Sequence, residues 1–167
     1  MEWPPAAYSP RTNMIYSHAR YSPNYRGVSP TGEKLPAGSP LLGVGHGVYG
    51  AINTLTGKVA WTIPMLTTAP GSGMTVAGDL VFFGDSTGLF YAAGAATGEI
   101  LWVFDAWTVP KATGGNASAA VYEINGVEYV VYGFGGEPGA SFALGDAVIA
   151  FALPSATAAA AAKAKVK

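Results

Sequence analysis

The chain has 167 residues, no cysteine and a formal net charge of −1 at pH 7. The lack of cysteine excludes disulfides and thiolate metal sites within these residues, and the near-zero charge argues against nucleic acid or an anionic membrane surface as partners. Charged residues make up only 11 %, while aromatic residues make up 12 % alongside 23 glycines and 12 prolines. This composition is typical of turn-rich β structure and not of disorder, which is poor in aromatic residues.

The first 44 residues predict two short strands followed by a long loop. A turn at residues 9–13 separates Tyr8 from the apolar run at 14–16, which indicates a tight pair of strands. Prolines and glycines then recur throughout residues 17–44, where they interrupt ladder hydrogen bonding and predict a surface loop. Residues 1–5 are neither basic nor followed by an apolar run, so we find no signal peptide, which fits a cytoplasmic protein or a fragment whose leader lies elsewhere.

The region from 45 to 104 contains a repeat. Thr56-Gly57 and Trp61 are followed 41 residues later by Thr97-Gly98 and Trp102, each within a strand–turn–strand pattern. A period near 40 with short strands, glycine turns and a tryptophan at a fixed place predicts a β-propeller with one blade per repeat. Because the two tryptophans hold a repeat position, we interpret both as packing between neighbouring blades rather than as cofactor stackers.

The remaining chain predicts one further set of strands. Asn125-Gly126 joins the runs at 119–124 and 127–133 into a hairpin, and the last strand, 148–153, ends at Pro154. Residues 155–167 form an Ala/Lys-rich tail that is either frayed helix or disordered. Roughly ten strands in two to three blades cannot close a ring. We therefore expect the remaining blades to come from an upstream segment or from another chain.

Several of these segments together resemble the PQQ-dependent (quinoprotein) dehydrogenases. They are the repeat at 51–61, the segment 75–88, the hairpin at 121–130, the closing strand at 145–154 and the Trp3-Pro4-Pro5 entry. The resemblance covers about residues 2–154 and only the C-terminal third of the family's length. It implies an all-β fold in which residues 1–154, with a long loop at 17–44, form the C-terminal part of an eight-bladed propeller.

The resemblance also implies a function. The family oxidises alcohols, polyols or sugars in the periplasm, and PQQ accepts the electrons beside a Ca²⁺ or lanthanide ion that acts as a Lewis acid. Electrons then pass to a cytochrome c or quinone acceptor. The metal ligands and the catalytic base of the family lie in earlier blades, so we assign no catalytic and no metal-binding residue here and expect the isolated chain to be inactive.

Five residues are predicted to line the cofactor. The family's Asn-Trp pair corresponds to Glu2 and Trp3, and an ionised Glu2 cannot donate the hydrogen bond that the family's amide donates to the quinone. Gly71, Ser72 and Gly73 lie where the family brings a glycine-rich turn toward the ring axis, although the tryptophan often found near that turn is missing.

Other chemically active residues have plainer explanations. His18 and His46 are 28 residues apart without a supporting ligand cluster, so a metal site is not predicted. Trp107 begins a loop and is interpreted as packing. Four aspartates lie beside turns, where the side chain is expected to cap its own backbone; they are Asp79, Asp85, Asp105 and Asp146.

A second function remains open at this point. The repeats also resemble the non-enzymatic propeller scaffolds of the outer-membrane assembly lipoproteins. The loop at 17–44 and the extended match at 121–154 favour the enzyme.

Overall fold

Thirteen antiparallel strands make up the described part of the computed structural model, which covers residues 4–21, 24–25, 39–40, 46–64, 72–115, 117–136 and 144–152. The strands are β1 Ala7–Ser9, β2 Met14–Tyr21, β3 Asn24–Tyr25, β4 Ser39–Pro40, β5 His46–Asn53, β6 Val59–Pro64, β7 Thr75–Ala77, β8 Leu80–Gly84, β9 Leu89–Gly94, β10 Ile100–Asp105, β11 Ala120–Ile124, β12 Val127–Phe134 and β13 Ala147–Ala152. A single 3₁₀ turn, Ala106–Thr108, follows β10. The all-β prediction is confirmed, and no helix within these ranges is long and apolar enough to cross a membrane.

The strands form three successive sheets and one small ribbon. The first sheet has the order β1-β2-β5-β6, the second β10-β9-β8-β7, and the third β11-β12-β13, while β3 pairs with β4. The predicted loop at 17–44 is shorter than expected, because residues 17–21 continue β2 and pair with β5. The tail at 155–167 lies outside the described residues.

The repeat predicted from sequence is visible in the backbone. The turn glycines Gly57 and Gly98 both have positive φ, 69° and 73°, as a tight turn before the fourth strand requires. The strand pair that flanks each turn has a register shift, between Ala51 and Ile52 in the first sheet and between Ile100 and Trp102 in the second. Asn125 and Gly126, with φ of 52° and 77°, close the hairpin between β11 and β12 as predicted.

Apolar side chains line both gaps between neighbouring sheets and pack into a core in each. The first core lies between the first and second sheets and includes Tyr16, Tyr49, Trp61 and Phe83. A second core lies between the second and third sheets and is built on Phe90, which stacks on Tyr132 with ring centroids 4.4 Å apart. The middle sheet is therefore covered on both faces, which is the arrangement of successive propeller blades.

Candidate functional site

The loops that are candidates for a functional site lie at one edge of the three sheets. Because neighbouring strands within each sheet are antiparallel, the described loop residues 4–6, 72–74, 85–88, 106–115, 117–119, 135–136 and 144–146 all lie at the same edge, which we call the loop edge. Backbone hydrogen bonds join these loops, from Ser72 to Gly84, from Gly115 to Asp85 and from Gly136 to Gly114. This edge is the candidate site, since the sequence-predicted Ser72 and Gly73 lie on it.

Asp85 is the buried carboxylate of the loop edge and is only 4 % exposed. One oxygen accepts from Thr87 N, Thr87 Oγ1 and Leu89 N at 2.9, 2.6 and 3.1 Å, and the other accepts from the Tyr91 hydroxyl at 3.0 Å. These four bonds offset the cost of burying the charge. Asp85 thus caps its own turn, as the sequence predicted, and is occupied by structural hydrogen bonds.

Three tyrosines surround this carboxylate. Tyr49 donates from its hydroxyl to Gly84 O at 2.7 Å, and Tyr91 donates to Asp85. Burial, and then the negative charge of Asp85, raise the pKa of both phenols. They therefore stay protonated near neutral pH and act as hydrogen-bond donors, not as bases.

Tyr132 is wedged between the second and third sheets. Its ring lies so close to Gly84 and Gly115 that neither position has room for a side chain. Burial raises the pKa of its hydroxyl, an effect that nearby Ser72 opposes and Asp85 reinforces. No described atom forms a well-aligned hydrogen bond with this buried hydroxyl, and the same holds for Thr113 Oγ1.

Ser72 and Gly73, both candidate cofactor residues, are packed tightly at the loop edge. The Ser72 N–H donates to Gly84 O at 3.0 Å, and its Oγ accepts from Gly84 N at 2.6 Å. A side chain at Gly73 would collide with Ser118 and would lie 2.7 Å from Cδ of Pro5. Glycine is therefore required where these three segments meet.

The other candidate cofactor residues, Glu2, Trp3 and Gly71, lie outside the described residues. Pro4 is fully buried, and Pro5 contacts Gly73. The structure thus brings together the two chain segments from which sequence predicted cofactor contacts, although they are separated by about 70 residues in the sequence. Only the tertiary fold shows this proximity.

The remaining acidic and aromatic candidates have structural partners. Asp105 accepts from Trp107 N at 3.0 Å and caps its turn as predicted, and the exposed Trp107 donates from Nε1 to Thr87 O at 2.7 Å. Asp79 and Asp146 differ from the prediction, because they form exposed ion pairs with Arg11 and Lys111. Within the described ranges, no three His, Asp or Glu residues cluster as a metal site would need.

The two histidines and two repeat tryptophans occupy different environments. His18 is buried and meets the edge of Tyr49, whereas for His46 only the backbone, in β5, is described. Trp61 is 9 % exposed and donates to Ala95 O across the first gap. Trp102 is 40 % exposed and meets Phe151 of the third sheet edge-on.

Sequence reasoning missed an apolar cavity of about 680 Å³ between the second and third sheets. Trp102, Phe151 and Phe90 line it, and among the described residues Glu128 is the only charged one that reaches it. It lies away from the loop edge, on the side of β13 where the third sheet has no fourth strand among the described residues. Without convergent polar groups, this cavity fits protein packing better than cofactor binding.

Comparisons with known proteins find one family model and several curated relatives that resemble this chain. Residues 13–150 match a PQQ-repeat family model described as outer membrane protein assembly factor BamB. The chain is 28 % identical to quinohemoprotein alcohol dehydrogenase ADH-IIG of Pseudomonas putida over 81 % of this chain and 21 % of the relative. It is 32 % identical to the lanthanide-dependent methanol dehydrogenase of Methylorubrum extorquens over 84 % of this chain and 25 % of the relative.

Solved structures give the same result. The quinohemoprotein alcohol dehydrogenase ADHIIG from Pseudomonas putida HK5 superposes with a TM-score of 0.61 at 27 % identity, over 78 % of this chain and 21 % of that one. The quinohemoprotein alcohol dehydrogenase from Comamonas testosteroni gives 0.60 at 26 % identity, over 80 % and 22 %. These similarities confirm the predicted propeller-type fold. The chain spans about a fifth to a quarter of the length of the relatives it matches.

Proposed function

The chain belongs to the quinoprotein (PQQ-dependent) dehydrogenase family of β-propellers, and on that basis we propose that it forms the C-terminal segment of an enzyme that oxidises alcohols, polyols or sugars. The observation that carries this proposal is the similarity to alcohol dehydrogenases along more than three quarters of the chain. Because the chain spans only a fraction of those enzymes, we propose that it is inactive alone and needs the other blades. By the same family resemblance, we propose a periplasmic enzyme that passes electrons to a cytochrome c or a quinone.

The proposed role of the segment is to complete the ring and to line one side of the quinone pocket. When bound, PQQ accepts two electrons from the alcohol carbon beside a Ca²⁺ or lanthanide ion whose ligands we place outside this segment. Contact between Pro5 and Gly73 supports the cofactor assignment, because it joins the segments that carry Trp3 and Gly71. Ser72, whose N–H and Oγ both bind Gly84, would hold the glycine turn in place beside the quinone.

The electrostatics of the loop edge are compatible with an anionic cofactor. The only buried carboxylate among the described residues of this edge, Asp85, is fully hydrogen-bonded, and the phenols near it are uncharged. A quinone with carboxylate groups would therefore meet glycine backbone and uncharged side chains here rather than an uncompensated negative charge. Glu2, if it faces the pocket, would be the exception, because an ionised carboxylate repels the cofactor and cannot donate to it.

A second candidate function is a non-enzymatic propeller scaffold of the outer-membrane assembly type. The description of the matching family model favours it. The two functions differ in one property that can be measured directly, namely the binding of PQQ.

The test is a PQQ titration with excess Ca²⁺, followed by intrinsic tryptophan fluorescence, on this chain and on the chain extended upstream by its native propeller sequence. We expect saturable quenching and dye-linked alcohol or sugar oxidation in the extended protein only. Gly73→Ala should weaken PQQ binding there, while Gly133→Ala, where a new methyl meets its nearest atom at 3.8 Å, serves as the matched control. A well-folded extended protein that binds no PQQ would rule out the dehydrogenase and favour the scaffold.

A further inference from the structure

Gly84, the last residue of β8, is held by residues from both neighbouring sheets. Its carbonyl accepts two hydrogen bonds, from Ser72 N at 3.0 Å and from the Tyr49 hydroxyl at 2.7 Å. Its own N–H donates to Ser72 Oγ at 2.6 Å. Both backbone polar groups of this buried residue are therefore paired, and one of the donors, Tyr49, comes from β5 of the first sheet.

The third sheet contacts the same residue through the ring of Tyr132. A Cβ built on Gly84 would lie 2.7 Å from Cζ of that ring, so the ring packs directly on the glycine backbone. The Tyr132 hydroxyl has no well-aligned partner among the described atoms, and the contact is therefore made by packing. Tyr49 differs in this respect, because it holds Gly84 through a hydrogen bond from its hydroxyl.

The end of β8 in turn fixes the position of Ser72. Ser72 is 0 % exposed, and its N–H and Oγ both bind Gly84. The next residue, Gly73, lies against Pro5 without room for a side chain. A displacement of Gly84 would therefore carry Ser72 and Gly73 with it, because two hydrogen bonds join the segments and the close packing leaves little free space.

We infer that Tyr49 and Tyr132 are positioning residues for the turn at Gly71, Ser72 and Gly73, which they hold in place through Gly84. This inference rests on the proposed function, in which that turn lines the quinone. Neither tyrosine has to touch the cofactor, since each acts on Gly84 and Gly84 holds Ser72. A displacement of about 1 Å can change the function of an enzyme about a hundredfold, so the positioning should be visible in the affinity for PQQ.

The role of Tyr49 is tested with two matched substitutions in the protein extended by its native upstream sequence. Tyr49→Phe and Tyr16→Phe each remove a buried hydroxyl from the first gap, but the Tyr16 hydroxyl lies 2.6 Å from Thr12 Oγ1, at the opposite edge of the sheet. Both should lower Tm. Tyr49→Phe should also raise the Kd for PQQ by roughly fivefold, the worth of one buried hydrogen bond, while Tyr16→Phe should leave it within about twofold.

The role of Tyr132 is tested by separating its ring from its hydroxyl. Because the ring makes the contact, Tyr132→Phe should keep the Kd for PQQ within about twofold, and Tyr132→Leu should raise it at least about tenfold. Phe151→Leu is the control for the loss of a ring from the same gap, since Phe151 packs on Phe90 and Trp102 with ring centroids 5.6 and 5.1 Å apart. It should lower Tm without changing the Kd by more than about twofold.

Amide hydrogen exchange of the 167-residue chain gives a readout that does not use PQQ. The amides of Ser72 and Gly84 are both hydrogen-bonded in the turn, and their exchange reports local opening. Tyr49→Phe and Tyr132→Leu should speed exchange at these two amides at least about tenfold relative to the two control variants. The comparison with the controls separates positioning of the turn from a general loss of stability.

Equal changes in exchange and in PQQ affinity for the tyrosine variants and their controls would overturn the inference. Faster exchange with an unchanged Kd would also overturn it, since the turn would then move without consequence for the cofactor. An extended native protein that binds no PQQ, while the differences in exchange persist, would refute the dehydrogenase and support the positioning of the turn.

Discussion

At the scale of single residues, glycine and tyrosine are combined to bring the second and third sheets together at the loop edge. Tyr132, from the third sheet, occupies the space left by Gly84 of the second sheet and by Gly115 in the connecting loop. Its hydroxyl is buried without a well-aligned partner among the described atoms, so packing of the ring is what holds it there. This contact fixes the position of the third sheet relative to the second.

The buried phenols predict a loss of stability at alkaline pH. Folding raises the pKa of Tyr49, Tyr91 and Tyr132 above the value of about 10 in an unfolded chain. Above pH 10 the unfolded state therefore releases protons that the folded state keeps, and the free energy of unfolding falls as pH rises. We expect urea midpoints to be level between pH 7 and 9 and to decline above pH 10.

Tyr132→Phe isolates one of these groups. Because the variant removes a hydroxyl without a well-aligned partner, it should change the free energy of unfolding at pH 7 by less than about 1 kcal/mol. Between pH 10 and 11 its urea midpoint should fall less steeply than that of the native chain. An unchanged alkaline slope in this variant would show that Tyr132 ionises freely in the folded protein.

At the scale of elements, the two repeat tryptophans contribute unequally to the packing between neighbouring sheets. Trp61 joins the first sheet to the second through its bond to Ala95 O and its contact with Gly98. Trp102 holds the corresponding position one sheet later, yet it is 40 % exposed and borders an apolar cavity. A fourth strand on the third sheet would cover Trp102 and make its environment similar to that of Trp61.

This difference predicts unequal costs of the same substitution. Trp61→Phe removes the indole donor and leaves a buried carbonyl unpaired, so the free energy of unfolding should fall by about 1–3 kcal/mol. Trp102→Phe should cost less than half as much, because its ring is already partly in water. Urea denaturation followed by circular dichroism measures both, and equal losses would contradict the docking role of Trp61.

At the scale of the whole molecule, the three sheets have large apolar surfaces that no described residue covers. One is an in-register row of exposed apolar side chains across the first sheet, formed by Tyr8, Ile15, Ile52 and Val59. Another is the outer face of the third sheet, where Val148 is 74 % exposed. Exposed apolar patches of this kind mark interaction sites in soluble proteins. A longer propeller would cover both faces with neighbouring blades.

The 167-residue chain should accordingly bind the dye ANS while it is folded, since ANS reports exposed apolar surface. The double variant Ile15→Thr with Ile52→Thr keeps β-branched side chains in the strands, so the sheet should persist and the ANS signal should fall by roughly a third or more. Leu55→Thr, in a turn outside the row, is the control and should leave the signal unchanged. Equal ANS binding by all three proteins would mean that the row is not an accessible surface.

Local sequence patterns were sufficient to predict the all-β class, the 41-residue repeat and the hairpin at Asn125-Gly126. Each depends on residues close together in the chain, namely glycines that allow positive φ and apolar residues in alternation. The extension of β2 through Tyr21 was not predicted. Its ladder partner, β5, begins 25 residues later, and no residue pattern near Tyr21 indicates the pairing. The ion pairs of Asp79 and Asp146 were missed for the same reason.

The sequence by itself determined the family, the repeat and the type of each turn, because all three are encoded in short runs of residues. Only the tertiary structure decided that Pro5 meets Gly73, that Tyr132 fills the space beside Gly84, and that Trp61 packs on Gly98. These contacts join segments that are tens of residues apart. Their positions depend on how the sheets stack, and stacking is set by the summed packing of two cores rather than by any local motif.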